Sequence, residues 1–412
     1  MQPTITVQHG NSITIVSHPK STIMKYLFSL IFLWSLGNGL FAQTITRLDG
    51  NQLPVKEIDA RIRQWMQEEN IQGLCVSVLN QQQPVLVKAY GYRNQPKNEY
   101  LDTATIMYGA SLSKGVFGYL VMQLVDKGIL NLDKPLYQYL PKPLYEYEYF
   151  ADLKSDDRWK QITARMCLSH TTGLPNLRWF HPTTNVEDTT GFLRIYFNPG
   201  SRYAYSGEGF KLLQLVIETI TQKTVDALAV EYIFNPLGMK RTGYVWHDSF
   251  GDDNVAVGHM NNGAIDKKKK RSTAVAGGSM VTTIADYTRF IAAVLQQKEL
   301  SAAGFAEMIR PQIAIHAVTQ FPPITEATTT ENDSIGLAYG LGWGLFQCSP
   351  YGKAFFKEGN GDSWRNYNVN FVDKGFSITI LVNSENGERI FKKLTTLLAG
   401  ETCIPWKWEG YL

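Results

Sequence analysis

Ser111 and Lys114 stand three residues apart at the head of an apolar run from Val116 to Val125, which Gly128 stops. The run predicts a buried helix, and residues three apart on a helix share a face. Lys114 would then lie one turn above the Ser111 hydroxyl. A serine hydroxyl is a poor nucleophile until a base takes its proton, and a lysine held in an apolar pocket can lose its charge and serve as that base. The helix N-terminus adds positive potential where an oxyanion would form. Gly109, Ala110 and Gly115 are small enough to let a substrate approach the backbone.

Two later segments add chemistry. Tyr205 lies in Tyr203-Ala204-Tyr205-Ser206-Gly207, a loop before the helical apolar stripe of Leu212, Leu213, Leu215, Val216 and Ile217. A phenol near a lysine ammonium is pushed toward phenolate and can act as a general base. Lys357 ends a strand-like stretch that enters the turn Glu358-Gly359-Asn360-Gly361. It could supply a fixed positive charge. Gly359 would let a substrate lie against the strand edge, and a backbone N–H near Asn360, paired with that of Ser111, could face an oxyanion. The candidate catalytic residues are therefore Ser111, Lys114 and Tyr205, with Lys357, Gly359 and Asn360 as the substrate and oxyanion group.

In this order and spacing, Ser111-x-x-Lys114, Tyr205-Ser206-Gly207 and Lys357-Glu358-Gly359 resemble the serine β-lactamase and penicillin-binding superfamily. The resemblance is to its class C β-lactamase, D-alanyl-D-alanine carboxypeptidase and esterase branch. Supporting stretches are Leu168-Ser169-His170-Thr171-Thr172-Gly173-Leu174, Gly277-Gly278-Ser279-Met280-Val281-Thr282-Thr283 and Tyr339-Gly340-Leu341-Gly342-Trp343-Gly344, so the likeness spans roughly residues 50 to 395. It implies an acyl-enzyme mechanism in which Ser111 attacks a carbonyl while Lys114 and Tyr205 share the proton removed from it. Which of the two is the resting base stays open. The resemblance makes His170 a structural residue and requires no cofactor.

Two departures bear on the substrate. Gly207 replaces the asparagine that in this superfamily helps hold the substrate amide and the lysine, and Glu358 replaces a threonine, serine or glycine. Strand alternation would turn Glu358 away from the face that Lys357 uses. If it lined the pocket instead, its charge would oppose the carboxylate of a penicillin or of a D-Ala terminus. Both changes weigh against β-lactamase activity more than against acyl transfer. An esterase or D-amino-acid peptidase ranks first, with a catalytically inactive sensor or binding protein as the alternative that Gly207 favours.

The positioning elements are legible as pattern. Ile58, Ile62, Trp65 and Met66 repeat at helical spacing; Leu74 to Leu79 and Val85 to Tyr92 form a hairpin through Gln81-Gln82-Gln83-Pro84. Near the other end, Tyr339 to Gln347 and Ala354 to Lys357 are strand-like. Tyr367, Val369 and Phe371 alternate with polar residues, Asp373-Lys374-Gly375 turns, Phe376 to Val382 returns, and a helix follows from about Glu388 to Leu398. The expectation is an α+β fold: one antiparallel sheet flanked by helices, built from both chain ends, with an inserted mainly helical lobe. Residues 44–140 and 266–412 would form the α/β lobe and 141–265 the helical lobe. A site between lobes is the usual place for a small-molecule pocket. Whether the loop from Ala317 to Ser334 covers it is open.

Composition narrows the partners. The 412 residues carry a net charge of +3, which singles out neither nucleic acid nor an anionic membrane; a small acyl or peptide substrate fits better. The basic run Lys267 to Arg271, after Asn261-Asn262-Gly263, reads as a solvated hairpin arm. The seven histidines show no His-x-x-x-His pair, so a metal mechanism has little support. Residues 1–43 read as a leader. Met24-Lys25, the apolar run Tyr26 to Leu36 and a small-residue end at Ala42 form an export signal, with Met24 the candidate true start. Export to the periplasm or beyond permits disulfides, and Cys348 and Cys403 sit in turn-rich contexts where they could pair, while Cys75 and Cys167 look like core thiols. No stable membrane insertion is expected after cleavage, and the oligomeric state is open.

Overall fold

Leu74, Val76 and Val78 alternate with Cys75, Ser77 and Leu79, and all six are buried. Both faces of this strand are therefore covered, which calls for helices on each side of the sheet. The computed structural model describes residues 43–267 and 270–411, so the export signal lies outside the described residues. One antiparallel sheet of nine strands organises the rest. In chain order these are β1 (Gly73–Asn80), β2 (Gln83–Asn94), β3 (Glu99–Tyr100), β4 (Ile313–Ala314), β5 (Ala338–Tyr339), β6 (Gly344–Cys348), β7 (Gly352–Asn360), β8 (Arg365–Phe371) and β9 (Phe376–Val382). Their spatial order is β4-β5-β6-β7-β8-β9-β1-β2-β3, so the two ends of the chain meet where β9 pairs with β1, Ile380 opposite Val76.

The main helices are α1 (Val55–Glu68), α2 (Leu112–Asp126), α3 (Gly207–Thr221), α4 (Ile284–Leu295) and α5 (Phe391–Ala399). On one side of the sheet, Ile58 and Ile62 of α1 and Phe391, Leu394 and Leu398 of α5 pack on Leu74, Val76, Val369 and Ile380. On the other, α2, α3 and α4 share a core with Cys75, Leu79, Trp343 and Phe355. Between the sheet halves lie α2, α3 and α4, short 3-10 turns and an irregular stretch over 169–206. The architecture is thus the expected α+β type, an antiparallel sheet flanked by helices with an inserted helical lobe.

Two local expectations change. The first hairpin turns on Gln81 and Gln82, both at positive φ (49° and 64°), and Pro84 already belongs to β2. A two-residue loop with both residues left-handed matches the strand twist. Tyr339 to Gln347 is two strands, because Gly340–Trp343 folds back: the Gly342 N–H donates to Leu168 O at 3.0 Å and its φ is 92°. The polar residues that alternate along β8 do not face water. Asn366, Asn368 and Asn370 are fully buried, and Asn368 donates to Thr379 Oγ1 at 2.9 Å. Buried amides must find partners: β9 supplies them to Asn368 and Asn370, and Asn366 donates to Tyr108 O.

Cys348 at the end of β6 is disulfide-bonded to Cys403, which ties the C-terminal segment to the sheet, while Cys75 and Cys167 are free and buried. Among the described residues no helix is long and apolar enough to cross a membrane.

Candidate active site

Ser111 caps α2, and the turn that presents it is held from three sides. The Gly109 N–H donates to Met280 O at 2.9 Å, Asn366 Nδ2 of β8 donates to Tyr108 O at 3.1 Å, and Tyr244 Oη donates to Ser113 O at 2.7 Å. Ala110, just before the serine, has φ of 46°, a left-handed conformation that a non-glycine residue adopts only where its surroundings enforce it. The N–H groups of Leu112, Ser113 and Lys114 bond to the carbonyls of Gly109, Ala110 and Ser111. The Ser111 N–H, among the described residues, has no such acceptor. The small residues here serve packing, contrary to expectation: a Cβ at Gly115 would stand 2.6 Å from the Trp343 ring and one at Gly109 3.0 Å from Met280 Cε.

Residues Leu112 to Leu124 of α2 are all buried, so the helix runs through the core and Lys114 goes with it. Lys114 Nζ donates to Ser111 Oγ at 3.1 Å and to Gly277 O at 2.6 Å. Burial, reinforced by the Lys357 ammonium and opposed by the Glu358 carboxylate, lowers its pKa to about 7. Near neutrality a large fraction of this amine is uncharged.

Tyr205 is buried in the loop before α3, where Ser206 Oγ accepts from the Gly209 N–H at 3.0 Å and starts the helix. Lys114 Nζ and Lys357 Nζ flank its ring, 5.0 Å and 4.9 Å from the centroid. Its hydroxyl lies near the Ser111 hydroxyl and the Glu358 carboxylate, close enough for both to act on its ionisation, but completes a good hydrogen bond with neither. Burial first, then the Glu358 charge, holds the phenol well above its usual pKa. The expectation that lysine would drive it toward phenolate is overturned, because desolvation of the anion and the nearby Glu358 carboxylate favour the neutral phenol. His170 packs tilted against the ring, 4.3 Å between centroids, and accepts the Ser206 N–H on Nδ1 at 3.0 Å, and burial holds it neutral, well below its usual pKa.

Lys357, Gly359 and Asn360 do not form the open cationic edge that their spacing suggested. Lys357 is fully buried, and its ammonium bonds to Glu358 Oε1 at 2.6 Å and Glu358 O at 3.1 Å. Glu358 therefore does not turn away: it folds back over the strand, pairs with its neighbour and lines the same cleft as Ser111. An unpaired buried charge is costly, and this pairing supplies the compensation that alternation alone ignores. Gly359 is a spacer. A Cβ there would stand 2.6 Å from Gly109 O, so glycine lets β7 close against the Ser111 turn. Asn360 does reach the cleft, with Nδ2 donating to Tyr411 Oη at 2.7 Å. On the side where β6 stops at Gly344 opposite Phe356, Lys357 to Asn360 have no strand partner.

The cleft has a volume of about 350 Å³ and is lined by Ser111, Tyr205, Glu358 and Asn360 together with Asn176, Leu177, Phe180, Pro182, Asn185, Phe321 and Pro323. A second cleft of about 360 Å³, bordered by Trp246, Lys270 and Arg271, reaches none of Ser111, Lys114 or Tyr205. The loop from 317 to 334 does wall the first cleft, through Phe321 and Pro323, and its Gln320 donates to Glu358 Oε1 at 3.0 Å. Sequence reasoning missed Asn176 and Gln320. Asn176 lies two residues beyond the quoted stretch that ends at Leu174, a usable signal, whereas nothing local marks Gln320.

The arrangement holds a hydroxyl beside a partly neutral amine, with a neutral phenol close by and an unpaired backbone N–H on the serine itself. These are the parts that acyl transfer requires. Comparison with known proteins agrees at the level of family and fold. The Unguisins hydrolase ungD of Aspergillus violaceofuscus is 22% identical over 331 residues, covering 73% of this chain and 55% of that protein. Protein flp of Staphylococcus aureus is 24% identical over 217 residues, 51% of this chain and 42% of its own length. The chain thus spans about half the length of these curated relatives. Among solved structures, EstCE1, a hydrolase with promiscuous acyltransferase activity, superposes with a TM-score of 0.67 at 18% identity, covering 84% of this chain and 98% of that one. The octameric penicillin-binding protein homologue from Pyrococcus abyssi gives 0.64 at 20% identity, covering 81% and 74%. The D-alanine carboxypeptidase AmpC from Burkholderia cenocepacia gives 0.63 at 16%, covering 83% and 97%. The sequence profile of the Beta-lactamase family matches residues 58–401, and the chain belongs to that family.

Proposed function

We propose that this protein is a serine hydrolase that works through an acyl-enzyme on Ser111. The observation that carries the reading is the 3.1 Å contact between Lys114 Nζ and Ser111 Oγ, made by an amine whose pKa is brought to about 7. Neutral Lys114 takes the Ser111 proton as Oγ bonds to the substrate carbonyl carbon. The carbonyl oxygen becomes an oxyanion and accepts from the unpaired Ser111 N–H. Lys114 is then an ammonium, and Tyr205 passes a proton on to the leaving group, being reprotonated from Lys114. Water repeats the sequence on the acyl-enzyme, giving the acid and free Ser111. Tyr205 acts as a relay rather than a resting base, because its phenol is held neutral.

The substrate side is read from charge and apolarity. Glu358 occupies the Lys357 ammonium, so among the described residues that line the cleft there is no spare cation for a substrate carboxylate. Leu177, Phe180 and Phe321 are 47%, 41% and 37% exposed at its mouth, a setting for an uncharged apolar group. We therefore rank neutral esters and amides above penicillins and free D-Ala termini. The disulfide and the leader-like residues 24–42 both support an exported protein.

The test is turnover of a p-nitrophenyl ester, a D-Ala-D-Ala peptide and a chromogenic cephalosporin by wild type and Ser111→Ala. The expected result is ester hydrolysis well above the other two, abolished in Ser111→Ala. Turnover that survives Ser111→Ala contradicts the mechanism, and cephalosporin hydrolysis above ester hydrolysis contradicts the substrate ranking.

A further inference from the structure

Glu358 Oε1 receives donors from two separate parts of the chain. One is the ammonium of its neighbour, Lys357 Nζ at 2.6 Å, and the other is Gln320 Nε2 at 3.0 Å. All three side chains are buried, Gln320 with 2% of its surface exposed. A glutamate can change rotamer while it keeps one ion pair, so a single partner does not fix it; a second donor on a different segment does. A competing partner also stands close by. Glu409 is buried, its Oε2 accepts from Tyr367 Oη at 2.8 Å, and both Glu358 and Lys357 act on its ionisation. Two carboxyl groups therefore share the neighbourhood of one ammonium, and the Gln320 donor goes to Glu358.

Gln320 is in turn held from outside its own loop. Its N–H donates to Trp408 O at 2.9 Å. Trp408 is buried against Phe356 of β7 and against Tyr203, with ring centroids 6.4 Å and 6.0 Å apart. Cys403, just upstream, is the disulfide partner of Cys348 at the end of β6. Lys407 Nζ makes a second tie to the 317–334 loop, at Glu331 Oε2, 2.6 Å away. The C-terminal segment thus fixes the Gln320 backbone, and the carboxamide reaches Glu358 at little further cost in conformational freedom.

We propose that Gln320 is a positioning residue that acts through Glu358: it keeps that carboxylate on the Lys357 ammonium and so makes the cleft favour uncharged acyl groups over carboxylate-bearing ones. The inference rests on the hydrolase reading above. Substrate charge is then set by the 317–334 loop and the C-terminal segment that holds it, as well as by the strand that bears Lys357.

The experiment compares kcat and KM on two esters with the same leaving group and the same acyl length, p-nitrophenyl hexanoate and the mono-p-nitrophenyl ester of adipic acid, which ends in a carboxylate. The proteins are wild type, Gln320→Met, Gln320→Asn, Glu358→Thr and the double variant Gln320→Met with Glu358→Thr. Met keeps the length and removes the donor; Asn keeps the amide and shortens its reach. In both, the adipate-to-hexanoate ratio of kcat/KM should rise about 3- to 30-fold, carried by a lower KM for the adipate ester. Hexanoate turnover should stay within about 3-fold of wild type, which also reports a folded protein. Added to Glu358→Thr, Gln320→Met should change the ratio less than about 2-fold, because the group it acts through is gone. An unchanged ratio in the single variants, an equal loss on both esters, or a full further rise in the double variant overturns the role of Gln320. A fluorophosphonate adduct at Ser111 in wild type separates these failures from that of the hydrolase reading. With no adduct and no ester turnover, both fall together.

Discussion

Lys114 Nζ lies 3.1 Å from Ser111 Oγ, one helical turn away inside a helix that is buried on every side. The spacing alone would place them on one face. It is the burial of α2 that makes the pairing chemical, because it moves the amine from its ordinary pKa to about 7. Lys357, Glu358, His170 and Tyr205 are titratable groups around it, and the cation on Lys357 works in the same direction as burial.

The first consequence is a pH profile. The base must be neutral, and the neutral fraction grows above the pKa. For a neutral ester, kcat/KM should therefore rise from pH 5 and level off above a midpoint at about 7. Lys114→Ala should lose the limb and cut kcat/KM by about 100- to 10,000-fold. Stopped assays across pH 5 to 9 check this. A flat wild-type profile would remove Lys114 as the base.

The same burial predicts a stability cost. The folded pKa of about 7 lies below the ordinary value of 10.5, so between these limits the unfolded chain binds the extra proton. Stability should rise with pH across that window, and the charge penalty below it is of the order of 5 kcal/mol. Lys114→Met should thus unfold at higher urea than wild type at pH 6, with the advantage shrinking toward pH 10. The unpaired Gly277 carbonyl that it leaves would offset roughly 1–3 kcal/mol of the gain. Urea midpoints at the two pH values decide. An advantage that grows with pH would reverse the sign of the account.

Tyr205→Phe separates relay from base. The phenol is neutral at rest, so its loss should leave the acid limb of the profile in place. The effect should follow the leaving group: small for p-nitrophenol, which departs unprotonated, and about 100-fold for an alkyl alcohol. Equal losses on both leaving groups would assign Tyr205 to the attack step instead.

Much of this was written in the chain before any coordinates. The strand-like runs Leu74–Leu79 and Tyr367–Phe371 and the helical spacing of Ile58, Ile62 and Met66 sufficed for the α+β architecture, because each fixes the type of element, although both faces of the two strands are buried. Ser111, Lys114 and Tyr205 were legible as types at spacings; Ser111 and Tyr205 line one cleft, and Lys114 lies buried beside them, 3.1 Å from Ser111 Oγ and 5.0 Å from the Tyr205 ring. Relations between distant segments were not legible. The turn of Glu358 onto Lys357 breaks the alternation rule to satisfy a buried charge, and the approach of Asn176 to Gly207 depends on a backbone contact across 31 positions. Nor was the direction of the Tyr205 pKa legible, because burial and the Glu358 charge set it and neither shows in the local sequence.

The Lys357–Glu358 pair is the lever on substrate charge. Glu358→Thr should free the Lys357 ammonium toward the cleft and raise the rate on a carboxylate-bearing cephalosporin relative to a neutral ester. It should also destabilise the fold by about 3 kcal/mol, since it leaves a fully buried cation unpaired. The rate ratio and the urea midpoint are the two readouts. A ratio unchanged in folded protein would show that Glu358 does not set substrate charge.

The most direct measurement of the central claim is covalent capture of the nucleophile. Folded wild-type protein is incubated with a fluorophosphonate at pH 8, digested and mapped by mass spectrometry. The account predicts one adduct on the peptide carrying Ser111, absent in Ser111→Ala and formed far more slowly in Lys114→Ala. A folded protein that takes no label at Ser111, or that labels at the same rate without Lys114, would contradict it.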